Sequence, residues 1–155
     1  MTKIQDLLDH HDLCTIIAKA AQALDRRRFD DWLDLCTPDV TMVFPVDPAN
    51  PFISEGTEAF RRQMEVLHQF AFTTHSIGAT LSTIEGDRAR TETPCIANHF
   101  MGSGSTRTNL RMGVRYHDSF VRIHGSWRMT KRELAIDWSE LVPSPEATID
   151  GRPAD

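Results

Sequence analysis

The stretch AFTTHSIGATLSTIEGDRARTETPCIANHFM, residues 71–101, decides the fold. In its first half, polar Thr74, Ser76, Thr80 and Ser82 interleave with apolar Ile77, Ala79 and Leu81. Side chains two apart on a strand share a face, so this alternation marks a strand with one face toward a core. Glu85-Gly86-Asp87 supplies a turn. Beyond it, Ala89, Thr91, Thr93, Cys95, Ala97 and His99 share one face, and Arg88, Arg90, Glu92 and Asn98 the other. Two long strands, 71–85 and 87–101, are therefore expected as antiparallel neighbours. Two imidazoles break the pattern. His75 runs in step with Ile77 and Leu81, and His99 with the small uncharged face, so both rings are expected to point inward.

Downstream, GSGSTRT reads as a flexible connection. Strands 110–124 and 126–138 follow, with a turn near His124-Gly125. In the first of these, Val114, Tyr116, Asp118 and Phe120 share a face, which makes Tyr116 a third inward polar group and Asp118 a weaker one. Residues 1–141 are read as a single domain, and the Pro-rich tail 142–155 as loop or a partial flap over a pocket.

Upstream the period changes from two to between three and four. Ile4, Leu7, Leu8, His11, Cys14, Ile17, Ala18, Ala21 and Leu24 recur at helical spacing, with Thr2 as N-cap and Gln5 completing a capping box. Asp25 lies four residues after Ala21, on or beside the apolar stripe, where a carboxylate is unusual. DDWLDLC reads as a short second helix, DVTMVFPV as a strand and PANPF as a loop. SEGTEAFRRQMEVLHQF reads as a helix with Phe60, Met64 and Leu67 along one edge. Helices followed by a run of long antiparallel strands define an α+β architecture.

The composition narrows the function. A chain of 155 residues buries about 68–70% of its unfolded surface, enough for one core and a pocket. The net charge of −5 argues against nucleic acid or an anionic membrane as the main partner. Arg26-Arg27-Arg28 is flanked by Asp25, Asp30 and Asp31 and reads as a solvated helix end. Cys14, Cys36 and Cys95 are odd in number and lack a CxxC pair, so neither a disulfide framework nor a thiolate metal site is expected. The seven histidines show no HxH or HExxH spacing, and no metal is expected. His10 and His11 are adjacent and cannot face one another on a helix, and His68, His117 and His124 fall at surface positions. The N-terminus has no apolar signal region and no apolar run approaches the ~20 residues of a membrane span, which points to the cytoplasm.

Asp25, His75 and His99 make chemical sense together. A carboxylate bonded to an imidazole sets its tautomer and stabilises the imidazolium formed when the ring takes a proton. A second imidazole, or a phenol such as Tyr116, can polarise a carbonyl or protonate a leaving oxygen. The same residues also suit plain structural roles: a hydrogen-bonded core histidine, a carboxylate accepting from backbone amides, a buried tyrosine.

These positions, with TTHSIGAT and the closing FVRIHGSWRMTKRELAIDWSE, resemble the SnoaL-like families of the nuclear-transport-factor-2-like superfamily, and within it scytalone dehydratase and related bacterial dehydratases. The resemblance covers roughly residues 5–141. It implies a cone-shaped α+β barrel, a curved, mostly antiparallel sheet wrapped around N-terminal helices with a deep apolar pocket. It implies that Asp25 orients a base, His75, and that His99 assists the elimination. Two tyrosines that hold a water in scytalone dehydratase have Leu24 and Phe44 at the matching positions, and its serine and asparagine have Val114 and Tyr116. The acid–base pair is retained and the substrate-polarising set is not, which argues against scytalone as substrate. The expected function is a cofactor-independent lyase acting on a small, mostly apolar, ring-bearing molecule. An isomerase or polyketide-type cyclase using the same dyad is the alternative, as is a non-catalytic ligand-binding module or a small subunit resembling a dioxygenase β subunit. No cofactor is expected. The outer sheet face, with Arg88, Arg90, Glu92, Arg115 and His117 beside Val121 and Ile123, suits a homodimer or homotrimer.

Overall fold

Helix α1 runs Lys3–Asp25 and ends in a Schellman motif: the Arg28 amide donates to the Ala23 carbonyl at 2.9 Å and the Arg27 amide to that of Leu24 at 3.1 Å. Arg27 takes the left-handed position, φ 56°, that glycine usually fills. Helix α2 (Phe29–Leu33) follows, then strand β1 (Cys36–Phe44), strand β2 (Phe52–Glu55), helix α3 (Thr57–Met64) and a 3₁₀ turn at Glu65–Gln69. The remainder is sheet: β3 (Phe72–Ile77), β4 (Leu81–Glu85), β5 (Arg88–Met101), β6 (Thr108–Ile123) and β7 (Ser126–Pro143), with a 3₁₀ turn at Gly104–Thr106. The computed structural model describes residues 3–45 and 51–145. The Thr2 cap, the end of the DVTMVFPV strand, most of the PANPF loop and tail residues 146–155 lie outside the described residues.

The strands form one sheet in the order β2-β1-β7-β6-β5-β3, with β4 also on β5. All pairs are antiparallel except β1 with β7. The sheet curves around α1 but does not close, so the expected barrel is an open half-cone among the described residues. Its core joins Leu13, Ile17 and Ala20 of α1 to Trp32, Val40, Met42, Phe60, Phe120, Trp127 and Met129.

Four local readings are corrected. The strand expected at 71–85 is two strands, because Gly78 sits against Pro94 and a Cβ there would lie 2.8 Å from the Pro94 ring. Pro94 has no amide to donate, and β5 changes its partner from β3 to β4 at this point. Part of the PANPF loop begins strand β2, which pairs with β1 from Phe44↔Phe52 to Thr41↔Glu55. The third helix is shorter than SEGTEAFRRQMEVLHQF and tightens into the 3₁₀ turn after Met64. Finally, α1 is rotated from its expected stripe. Ile4, Leu7 and Leu8 are 72%, 67% and 52% exposed, while Asp9, Leu13, Ile17 and Ala20 face inward. Asp9 tolerates burial because it accepts from Gln5, twice from Arg122, and from Trp127. The Arg122 guanidinium is the largest influence and holds this carboxyl down at about 2.

Asp118 is also no site residue. It is fully buried and takes a two-pronged bond from Arg132, Nε to Oδ1 at 2.8 Å and Nη2 to Oδ2 at 2.7 Å. Strand β7 runs on to Pro143, so residues 142 and 143 continue the sheet. Ser144 is tied back by its amide to the Arg107 carbonyl.

Candidate active site

The open end of the half-cone holds a cavity of about 330 Å³. Its walls are mainly apolar: Leu24 from α1, Met42 and Phe44 from β1, Phe60 and Met64 from α3, Met112 and Val114 from β6, Leu134 and Ile136 from β7. Among these side chains stand His75, His99, Tyr116 and Arg132.

The strand alternation brings His75 inward, and the Schellman turn brings Asp25 to meet it. Asp25 Oδ1 lies 2.6 Å from His75 Nδ1, and its Oδ2 accepts the His75 backbone amide at 2.9 Å. The ring and carboxylate are 6% and 23% exposed. Burial would raise the Asp25 carboxyl, but the bonds from His75 and Thr73 outweigh it and the net shift is downward. The carboxylate is thus ionised, accepts from Nδ1–H, and leaves Nε2 as the free nitrogen of the ring.

A second layer holds Asp25. Arg27 Nη1 donates to Thr73 Oγ1 at 2.8 Å and to the Leu24 carbonyl, and Nη2 donates to the Leu67 carbonyl at 2.9 Å. Since Thr73 Oγ1 receives the Arg27 proton, its own proton points at Asp25 Oδ1, 2.9 Å away. Arg27 was expected on a solvated helix end. It is half-buried, because the left-handed turn folds its side chain back behind the dyad. Arg26 and Arg28 do remain exposed. The relevant signal, an arginine two residues after the key aspartate, is present in the sequence but has no periodicity to mark it.

His99 stands beside His75, ring centroids 5.8 Å apart and nearly perpendicular. Phe70 packs on its other side at 4.9 Å. Its Nδ1 lies 3.4 Å from the Leu110 carbonyl, which can only accept, so Nδ1 carries the proton. Burial is the main force holding the His99 pKa below its ordinary value, and the neighbouring His75 adds to it. The folded state thus resists a proton that the unfolded chain accepts, so this group costs stability as pH falls from 6.5 through its lower folded value. His99→Leu is expected to lose less stability than the parent between pH 7 and pH 5. Urea denaturation at the two pH values measures it, and equal losses in both proteins would refute the assignment.

Tyr116 reaches the same cavity, and burial pushes its phenol far above its ordinary value. The Arg132 guanidinium lies 4.2 Å from its ring. Asp25, His75 and His99 are therefore one cluster, Tyr116 lines the same space, and Asp118 lies behind Arg132. Arg132 itself was missed. A charged residue on an inward strand position carries no sign of its partner until the fold pairs it with Asp118. His68 and His124 are exposed and His117 half-exposed, as their positions in the sequence imply. Among the described residues no group of three His, Cys, Asp or Glu is arranged to hold a metal, and no helix is long and apolar enough to cross a membrane.

An N-terminal helix cradled by a curved, mostly antiparallel sheet, with an apolar cavity at the open end, defines a cone-shaped α+β class. Within that class the chain belongs to the SnoaL-like domain family, whose model matches residues 5–133. An uncharacterised protein of Mycobacterium tuberculosis is 26% identical over 136 residues, 85% of this chain and 88% of its own length. A proposed scytalone dehydratase from Novosphingobium aromaticivorans superposes with a TM-score of 0.78 at 17% identity, covering 99% of this chain and 100% of the other. A type 2 hexachlorocyclohexane dehydrochlorinase, LinA, superposes with a TM-score of 0.83 at 10% identity, covering 96% and 99%. At these identities the solved structures establish the fold.

Proposed function

We propose that the protein is a cofactor-independent lyase that removes water from a small, mostly apolar, ring-bearing substrate. The observation that carries this is the 2.6 Å contact of Asp25 with His75 Nδ1, with the ring in the wall of an apolar cavity. His75 Nε2 takes the proton from an acidic C–H bond, and the released pair forms the C=C bond. Asp25 stabilises the imidazolium. The imidazolium then passes its proton to the hydroxyl leaving from the same face, and water departs. Apolar walls exclude solvent and strengthen these interactions. Charge developing on a substrate oxygen faces Arg132 and Tyr116. His99, neutral and with Nδ1–H directed at Leu110, presents Nε2 as an acceptor that orients the substrate hydroxyl. The dehydratase and dehydrochlorinase among the structural neighbours support an elimination.

The test is incubation with a panel of cyclic β-hydroxy ketones in deuterated water, followed by NMR. Loss of water from one of them is expected, without deuterium entering the position next to the carbonyl, because the abstracted proton leaves with the departing hydroxyl. Deuterium exchange or a shifted double bond without loss of water would point to the isomerase. Neither change in any compound, together with ligand binding unaffected by substitution of His75, would leave a binding module.

We also propose that the chain forms a homodimer or homotrimer through its outer sheet face. Ile96 and Trp138 are exposed there beside the Arg115–Asp137 ion pair. Light scattering at micromolar concentration is expected to give two or three times the monomer mass of 17.6 kDa; a monomer would reject the idea.

A further inference from the structure

Arg27 occupies a backbone position that does not suit an arginine. It takes φ 56° just past the end of α1, where glycine is the usual residue. Among the described residues one other non-glycine residue has positive φ, His124, and it lies exposed in the β6–β7 hairpin beside Gly125. A side chain in this conformation crowds its own backbone, so the conformation persists only where the surroundings hold it, and such residues gather at active sites. Closing α1 does not need the guanidinium. The two bonds of the Schellman motif run between backbone groups, and glycine would make both without strain. The side chain instead ties three segments together. It donates to the Leu24 carbonyl on α1 at 2.8 Å, to the Leu67 carbonyl in the 3₁₀ turn at 2.9 Å, and to Thr73 Oγ1 on β3 at 2.8 Å.

The bond to Thr73 leads to the dyad. Thr73 is 3% exposed, and its hydroxyl has one proton to give. With its oxygen accepting from Arg27, that proton goes to Asp25 Oδ1 at 2.9 Å, the same oxygen that meets His75 Nδ1 at 2.6 Å. The other carboxylate oxygen accepts the His75 backbone amide at 2.9 Å. Thr73 and that amide hold the two oxygens from different directions and so fix the carboxylate plane. The last torsion of an aspartate has broad minima, and little else would fix it. We infer that Arg27, acting through Thr73, is a positioning residue that locks the Asp25 carboxylate against His75, and that this role keeps an arginine at a left-handed position. The inference rests on reading Asp25 and His75 as the acid–base pair. It adds a three-member support, Arg27 to Thr73 to Asp25, behind the base.

The experiment reads the His75 ring proton by NMR in the free protein, so it needs no substrate. The parent is expected to show a far-downfield proton resonance, the Nδ1–H shared with Asp25, which His75→Ala removes. Arg27→Gly supplies the residue that the backbone favours, so its melting temperature is expected to change little. Its resonance is expected to broaden, because the carboxylate loosens and water enters behind it. Thr73→Val keeps the side-chain shape and leaves Arg27 its two carbonyl partners. It is expected to broaden the resonance as well, and it decides the matter alone if the Arg27 variant does not fold. Thr73→Ser keeps the hydroxyl and is expected to keep the resonance sharp. Once a substrate is in hand, kcat is expected to fall about tenfold or more in Arg27→Gly and Thr73→Val with KM little changed, since a slight misplacement behind a reacting group can cost ~10²-fold. No such resonance in the parent, a resonance as sharp in Thr73→Val as in the parent, or one lost equally in Thr73→Ser overturns the inference. A lower melting temperature in Arg27→Gly with the resonance unmoved also overturns it and leaves Arg27 a structural residue. The expected NMR changes in a protein that turns over no substrate would discredit the lyase and leave the positioning role standing. Turnover that neither substitution alters would do the opposite.

Discussion

His75→Ala is expected to lower turnover by at least the ~10²–10⁴-fold typical of a general acid–base group, with the fold intact. The ring is a cavity wall more than a core element, so its removal enlarges a space that already exists. Asp25→Asn is expected to act in the same direction for two reasons. An amide cannot stabilise the imidazolium as a carboxylate does. Its NH₂ also offers a donor where Nδ1–H now donates, which favours the other tautomer and puts a proton on the nitrogen that must accept one. Asp25 accepts three bonds, from the His75 ring, the His75 amide and Thr73, so Asp25→Asn is expected to cost some stability too. Melts therefore accompany turnover. If the two residues act as a unit, the double variant is expected to be scarcely worse than the worse single one. Large losses of melting temperature with unchanged turnover per folded molecule would make the pair structural.

The second large effect is on stability. Asp118→Ala is expected to destabilise the protein by about 3–5 kcal/mol, because it leaves the Arg132 guanidinium, 3% exposed, without its counter-ion. For a chain of this size that corresponds to a fall in melting temperature of roughly 6–20 °C. Replacing both partners, Asp118→Leu with Arg132→Met, removes the stranded charge and is expected to recover most of the loss. The pair also matters for the cavity, since Arg132 forms part of its wall and Asp118 holds it there. A loss under about 1 kcal/mol in the single variant would show that water reaches Arg132 and compensates it.

The inward course of His75 and His99 was readable from alternation alone, because a strand's two-residue period depends only on local backbone geometry. The turn at His124-Gly125 was readable for the same reason. Both residues have positive φ, 49° and 80°, and the hairpin between β6 and β7 closes there. The α+β order of helices and strands followed from the change of period along the chain. Asp25 was visible as a carboxylate out of place on an apolar stripe. Its pairing with His75 was suggested by the chemistry of a carboxylate beside an imidazole and by a family resemblance, because the two are 50 residues apart and nothing local couples them.

Other features depend on pairings between distant segments. The rotation of α1 was misread because Asp9 looks like a surface residue until Arg122 and Trp127 arrive to satisfy it. Arg27 looked solvated until the left-handed turn aimed it at Thr73 and Leu67. Strand β2 was missed because four residues carry too little pattern to identify a strand without the β1 edge they pair with. Local sequence therefore settled which faces of the strands point inward and where the long antiparallel run lies, since those follow from the stereochemistry of a few consecutive residues. Which buried charge meets which partner, how far the sheet curls, and where the cavity stands could be decided only by the folded chain, since each depends on groups that folding alone brings within a few ångströms of one another.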